Sequence, residues 1–328
     1  MRALVYTGSH QVEMRDVARP QPLEGESEIA VMAAGICGSD ISGFLGHSRR
    51  IPPLVLGHEL VGRRRDGKRV VVNPLINCGR CTACLAGAQN LCSSWRLLGM
   101  DRTAGCYAEF VSVPDKQIYE IPDELSDARA VMAEPLANIV HLFRIAAPLP
   151  FFRMGIVGGG TMGSLALLVA KRLGVRDVLV QDVSDVRLDI SRRMGATLAI
   201  NVSTEEGRAE AGRFAGHGLD LVLDASGTGP ARQAAFDLCR PGGLVVLLGM
   251  SNERSEIDFV TSIRKEHRVV MSFAYSPVDF ERSLALLRAG EIDITPWTVE
   301  MPLEQGQNAF DRMSSAPGDT LKMLLRVS

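Results

Sequence analysis

The stretch Gly155-Ile156-Val157-Gly158-Gly159-Gly160-Thr161-Met162-Gly163 decides the fold. It carries G-x-G-x-x-G at Gly158, Gly160 and Gly163, with an apolar strand leading in and an amphipathic helix leading out. Gly158 permits a tight turn, Gly160 lets the backbone approach a pyrophosphate, and Gly163 allows close helix–strand packing. The first helical turn, with Thr161 and Met162, offers unpaired N–H groups to phosphates. Asp182 follows 19 residues after Gly163, at the end of the next apolar run. A carboxylate there accepts hydrogen bonds from the ribose hydroxyls of NAD and repels the 2′-phosphate of NADP. Arg187 is near enough to contact the adenosine end, and NAD is the expected cofactor.

Outward from this motif the chain keeps one rhythm. Strand-like runs at 154–157, 178–182, 198–200, 219–224, 244–248 and 269–273 alternate with helical stretches at 162–173, 186–194, 231–238 and 280–289. That alternation predicts a doubly wound parallel α/β sheet. Upstream, short β-like runs at 28–33, 69–72 and 108–113 are separated by Gly and Pro, the pattern of an irregular β-barrel. Pro148 and Pro150 mark a boundary, and the tail after Ile292 returns to Pro-broken segments. The expected domains are 1–148, completed by 292–328, and 149–291.

Composition narrows the function classes. The 328 residues hold 36 Lys+Arg against 38 Asp+Glu, a net charge of −2, with 46% apolar residues and mean hydropathy +0.09. A balance so near neutral gives no broad attraction to nucleic acid or an acidic membrane. No apolar run approaches the roughly 20 residues of a membrane span. Residues 1–8 read as a strand running into a turn, without the apolar core of a secretory signal, so a cytoplasmic protein is expected.

Seven cysteines in a chain this long do not form a disulfide framework. Cys78, Cys81, Cys84 and Cys92 fall within 15 residues on a Gly-containing loop, the ligand set of a structural zinc. A second constellation is scattered over three segments: Gly35-Ile36-Cys37-Gly38-Ser39-Asp40, Gly57-His58-Glu59 and Ala133-Glu134-Pro135. Together these supply a thiolate, an imidazole and carboxylates, which suits an open catalytic zinc. Asp40 is placed to accept from the imidazole N–H that does not face the metal.

In this order and spacing the motifs, with the later RPGG and LLGM segments, resemble the zinc-containing medium-chain dehydrogenase/reductase family over nearly the whole chain. Cys37, His58 and Glu134, the last in an A-E-P-L segment, resemble its polyol branch of sorbitol, galactitol-1-phosphate and threonine dehydrogenases. The resemblance implies a GroES-like β-barrel catalytic domain, a Rossmann cofactor domain, and homodimers or homotetramers. Two departures stand out. The stretch 59–69 is shorter than the family's usual β-excursion, and Ser42 stands where the family often has the outer histidine of a proton relay. His47 or solvent would have to replace it.

The expected reaction is hydride transfer between a secondary alcohol (a polyol, sugar alcohol or its phosphate) and NAD. Zinc held by Cys37, His58 and a carboxylate lowers the pKa of the substrate hydroxyl, and Ser39 takes its proton. One thiolate and one carboxylate neutralise Zn²⁺, whereas a second carboxylate leaves the site negative and weakens its pull. Glu59 and Glu134 are therefore not expected to coordinate together; one stands behind the other, or the two exchange. Arg49 and Arg50 offer a contact for a substrate phosphate or carboxylate, against a plainer reading as solvated surface. Arg63, Arg64 and Arg65 read as a solvated turn. The competing functions are a threonine-type 3-hydroxy amino acid dehydrogenase and a non-catalytic NAD-binding protein of the same fold.

Overall fold

A computed structural model describes residues 1–47, 50–147 and 152–327. Arg49 and the boundary prolines Pro148 and Pro150 lie outside the described residues. Two compact units are present, one made of 1–137 and 275–328, the other of 138–274. They change over at 137/138 and 274/275, where the sequence reading has 148/149 and 291/292. The helix Pro277–Arg288 accounts for the later difference: it belongs to the first unit.

The first unit is built on a sheet in which Ile118–Glu120, Arg69–Val72, Glu59–Arg64, Glu26–Ile36, Lys322–Arg326 and Thr298–Pro302 lie side by side in that order. Phe110–Pro114 pairs with the other half of Glu26–Ile36. Only the last two strands of the row run parallel to each other. A smaller sheet orders Gln11–Asp16, Arg2–Gly8 and Leu54–Val55. Leu4, Ile29, Phe44, Leu56, Tyr107 and Phe310 fill the core between them. Phe310, on helix Gly306–Ser315, has its ring centroid 5.1 Å from Phe44 and 6.0 Å from Tyr107. The short 59–69 stretch forms a tight hairpin turned at Gly67 (φ 84°), which carries the trimmed edge.

The second unit is a six-stranded parallel sheet. Numbered by their sequence within the unit, its strands lie in the order 3-2-1-4-5-6: Leu198–Asn201, Asp177–Asp182, Arg153–Val157, Leu219–Asp224, Cys239–Leu247 and Arg268–Met271. Its inner strands, such as Met154 to Val157, are near-continuously apolar and buried on both faces, as a helix-covered parallel sheet requires. The order reverses between Arg153–Val157 and Leu219–Asp224, the switch point at which such folds bind nucleotides beyond the strand ends. Among the described residues no helix is long and apolar enough to cross a membrane.

Candidate active site

Cys37 sits at the junction where strand Glu26–Ile36 ends and helix Gly38–Phe44 begins, and it is that helix's N-cap. The cap is reciprocal: the sulfur accepts from the Asp40 N–H, and the Asp40 carboxylate accepts from the Cys37 N–H at 3.3 Å. His58 and Glu59 come from the turn into the neighbouring strand. Gly57 makes that turn possible, since its φ is 94° and a Cβ there would sit 2.4 Å from the Tyr107 ring. Strand pairing sets Glu59 opposite Gly35, where a Cβ would stand 2.1 Å from the carboxylate. The side chain of Glu59 therefore occupies the room that Gly35 leaves.

Ligand atoms of Cys37, His58 and Glu59 all lie within 4.8 Å of one another, with His58 and Glu59 buried. His58 Nδ1 stands 3.7 Å from Asp40 Oδ1, which leaves the other ring nitrogen to the cluster. That Nδ1 is buried without a hydrogen-bond partner, and Asp40 is the carboxylate nearest to it. Burial works against charge on His58, but Asp40, the Cys37 sulfur and Glu134 raise its pKa to about 10. This donor set, with one thiol, one imidazole and one carboxylate converging, fits zinc with an open position.

Glu134 stands outside that cluster. It lies in the first turn of helix Ala133–Ala146 and accepts a hydrogen bond from Tyr275 Oη at 3.0 Å. Burial, helped by nearby Glu59, raises its pKa, while His58, Tyr275 and Lys322 pull it down. Glu59 has a stronger companion. The Nζ of buried Lys322 donates to both its carboxylate oxygens at 2.8 Å and to the Ile36 carbonyl at 3.3 Å. Burial opposes the charge on Lys322, yet Glu59 and Cys37 raise its pKa above the ordinary value.

Asp40, fully buried, gathers the surroundings. Its Oδ2 also accepts from Tyr107 Oη at 2.8 Å, and its Oδ1 accepts from Arg50 Nη2 at 2.9 Å. Burial and Asp40 push Tyr107 well above its usual pKa, so its hydroxyl is a permanent donor. Arg50 is thereby corrected: it is a buried partner of Asp40, neither solvated surface nor a contact for a substrate anion. Ser39, beside Asp40, has its Oγ 3.4 Å from Arg50 Nη2. His47 is exposed, and its backbone N–H bonds to the Ser42 carbonyl. Arg63 and Arg64 lie in a surface network with Asp66, Glu120 and Asp123, as their solvated reading expects.

The four lobe cysteines converge likewise, with sulfurs within 4.8 Å of one another and all of them free thiols. Cys81 caps the short helix Thr82–Leu85, and Cys92 follows the turn Gln89–Leu91. Backbone N–H groups of Arg80 and Cys81 hold Cys78 below the usual thiol pKa, so it offers a thiolate. The set fits a closed tetrahedral zinc.

In the second unit, Gly158 has φ 107° and takes the turn after the first strand. A Cβ on Gly163 would meet the Gly158 carbonyl at 1.9 Å, so only glycine lets helix Thr161–Arg172 lie this close. Gly160 caps that helix without a side chain and has open space where its Cβ would be, which is room for a phosphate above the N–H groups of Thr161 and Met162. Asp182 Oδ2 accepts from Gly159 N–H at 2.6 Å, and its Oδ1 accepts from the N–H groups of Val183 and Ser184. Three of a carboxylate's four or so acceptor positions are thus filled, and the one left on Oδ2 fits a ribose hydroxyl. Arg187 passes beside Gly159.

Sequence reading missed Lys322, Tyr275 and Tyr107. A signal existed for the first, a lone lysine inside the apolar run Leu321–Leu325. The tyrosines carried none.

Comparison with known proteins finds two matching domains, the second of which runs past the change of unit at 274/275 and takes in helix Pro277–Arg288. Residues 23–123 match the alcohol dehydrogenase GroES-like domain, and residues 161–289 match the zinc-binding dehydrogenase domain. L-threonine 3-dehydrogenase of Klebsiella pneumoniae is 32% identical, covering 95% of each chain. Sorbitol dehydrogenase of Bacillus subtilis is 28% identical, covering 99% of this chain and 97% of its own. An alcohol dehydrogenase of Escherichia coli CFT073, solved with NADH, superposes with TM-score 0.92 at 28% identity, covering 100% of this chain and 99% of its own.

Proposed function

This chain belongs to the zinc-containing medium-chain dehydrogenase/reductase family, and from that premise we propose that it moves a hydride between NAD and a secondary alcohol of the polyol class. The observation that carries the reading is the convergence of Cys37, His58 and Glu59 in a chain that also holds a dinucleotide fold. A protein that only bound NAD would have no use for that cluster. The polyol class is favoured over a 3-hydroxy amino acid by the cations near the cluster. Among the described residues, Lys322 is committed to Glu59 and Arg50 to Asp40, which supports a substrate that presents hydroxyls rather than a carboxylate.

When bound, zinc supplies the Lewis acidity that lowers the pKa of the substrate hydroxyl, and NAD supplies the hydride acceptor. Cys37, His58 and one carboxylate would hold the ion, and Cys78, Cys81, Cys84 and Cys92 the structural one. Asp40 fixes the imidazole, and Ser39 takes the proton. Lys322 changes the charge balance that makes two carboxylates unwelcome. With its ammonium counted, zinc, Cys37, Glu59 and Glu134 sum to neutrality. Glu59 and Glu134 can both stay ionised beside the ion without reversing its pull on a hydroxyl. Gly158, Gly160, Thr161, Met162 and Gly163 would cradle the pyrophosphate, with Asp182 on the ribose and Arg187 beside the adenosine.

We read the chain as a cytoplasmic homodimer or homotetramer. Edge strand Arg268–Met271 and helix Phe259–Arg264 leave Val269, Met271, Phe259, Val260 and Ile263 exposed, an apolar edge of the kind a second copy covers. The free cysteines suit a reducing compartment.

The test is NAD⁺ reduction by purified protein over polyols, sugar phosphates, simple secondary alcohols and threonine, with zinc content measured alongside. A chelator-sensitive rate on polyols and two zinc ions per chain are expected. Turnover of threonine alone would move the reading to the amino acid branch, and one zinc with no turnover would leave a cofactor-binding relic.

A further inference from the structure

The geometry points to Arg50 as a positioning residue for proton transfer: one buried guanidinium holds Ser39 and Asp40 together, and through them the proton-accepting hydroxyl and the imidazole of His58. This rests on the roles proposed above for Ser39, Cys37 and His58.

The Arg50 side chain is 1% exposed, and its donors are spent on a single corner of the site. Nη1 donates to the Ser39 carbonyl at 2.6 Å, Nη2 to Asp40 Oδ1 at 2.9 Å, and Nε to the Gly99 carbonyl at 3.2 Å. Nη2 also faces Ser39 Oγ at 3.4 Å. The helix beneath is shaped for it. A Cβ on Gly43 would stand 2.5 Å from Arg50 Cδ, so the arginine stem lies in the space that glycine leaves. The guanidinium therefore locks the first turn of helix Gly38–Phe44, from which Cys37 and Asp40 both reach the donor cluster.

The consequence for Ser39 is directional. A hydroxyl has two lone pairs and one O–H, and a guanidinium has no acceptor. The Arg50 N–H occupies one lone pair of Oγ, the Ser39 proton must turn away from it, and the second lone pair is left for the substrate. In the step, the Ser39 O–H breaks as its proton passes to water, and Oγ bonds to the proton released as the substrate O–H breaks. Arg50 never gives up a proton. It aims the hydroxyl and favours the transient negative charge on Oγ. This supplies order to a relay that has Ser42 where its outer histidine is expected.

The experiment compares Arg50→Lys, Arg50→Met, Asp40→Asn and the double variant Asp40→Asn/Arg50→Met with wild type. Readouts are kcat and KM separately, the solvent deuterium isotope effect on kcat, thermal melting, and the rate at which zinc passes to a chelator. Arg50→Met is expected to lower kcat about tenfold or more with KM little changed, as for other residues that orient metal ligands. Its isotope effect rises, and one of its two zinc ions is released faster. Arg50→Lys recovers part of kcat. Because Arg50 also holds Ser39, the double variant is slower than Asp40→Asn alone. That pair keeps the test open if Arg50→Met fails to fold, because the double variant leaves no buried carboxylate unpaired. A double variant no slower than Asp40→Asn overturns the proposal, and so does a folded Arg50→Met with wild-type kcat, isotope effect and zinc release. If wild type oxidises no alcohol, the functional reading falls. Zinc release still decides whether Arg50 secures the centre.

Discussion

Lys322 Nζ lies 2.8 Å from each carboxylate oxygen of Glu59, and both side chains are buried. The two residues belong to strands on opposite sides of Glu26–Ile36, with Glu59 paired to Gly35 and Met323 paired to Ile36. They meet across the one residue in that strand with no side chain to part them.

Removing the ammonium leaves a buried carboxylate without a counter-charge. Lys322→Met is expected to cost about 3–5 kcal/mol in urea unfolding, the usual penalty for breaking a buried pair. Lys322→Met/Glu59→Gln should recover most of that stability while activity stays low. A Lys322→Met protein with wild-type stability would show that the pair adds nothing to the fold.

Glu134 has its own partner in Tyr275, and the pair separates chemistry from packing. Glu134→Ala is expected to lose activity far more than fold. Tyr275→Phe keeps the shape and removes one hydrogen bond to a charged group, about 1.5–3 kcal/mol, so its kcat should fall by about 10- to 100-fold. Near wild-type turnover of Glu134→Ala with full zinc would remove Glu134 from the site.

Asp182 decides the cofactor. Asp182→Ser removes both the charge that repels a 2′-phosphate and the acceptor for the ribose. The KM for NAD should rise and that for NADP fall, changing their ratio by about 10- to 100-fold, a loss on the scale of one charged hydrogen bond. Measuring the two KM values side by side checks it, and an unchanged ratio would mean that another residue sets the preference.

The pH dependence of zinc capture follows from His58, whose pKa is raised from 6.5 to about 10. A raised folded pKa stabilises the protonated protein below about pH 6.5, and that contribution fades as pH rises towards 10. Zinc takes the neutral imidazole, so the same proton opposes the metal. Affinity at the catalytic site should therefore climb with pH through this window, about tenfold per unit for one proton displaced. Competition with a chelator of known affinity, repeated across pH, measures the slope. Asp40→Asn should move the window to lower pH, because it deletes the charge that contributes most to the rise.

The motifs that sequence reading finds are local. G-x-G-x-x-G and the four-cysteine lobe each bring their residues together within one turn or loop, so spacing alone foretells the geometry. Cys37 and His58 needed only neighbouring strands. Lys322 is different, because its meeting with Glu59 depends on a strand register 263 residues apart in sequence. Arg50 was legible as a charge but not as a buried one, since its burial depends on the glycine at 43. The helix Pro277–Arg288 continued the α/β rhythm yet joins the first unit, because periodicity reports that a helix has an apolar face and not which core covers it.

The order of these segments along the chain also governs how the protein is made. The second unit is one uninterrupted stretch, 138–274, and can fold while the remainder is still being translated. The first unit cannot close, because Lys322–Arg326 runs between Glu26–Ile36 and Thr298–Pro302 in its sheet. Until that strand emerges from the ribosome, Glu59 has no counter-ion. The nucleotide half is thus built before the metal half is finished, and a nascent chain gains its centre for hydride chemistry only once Lys322–Arg326 has emerged.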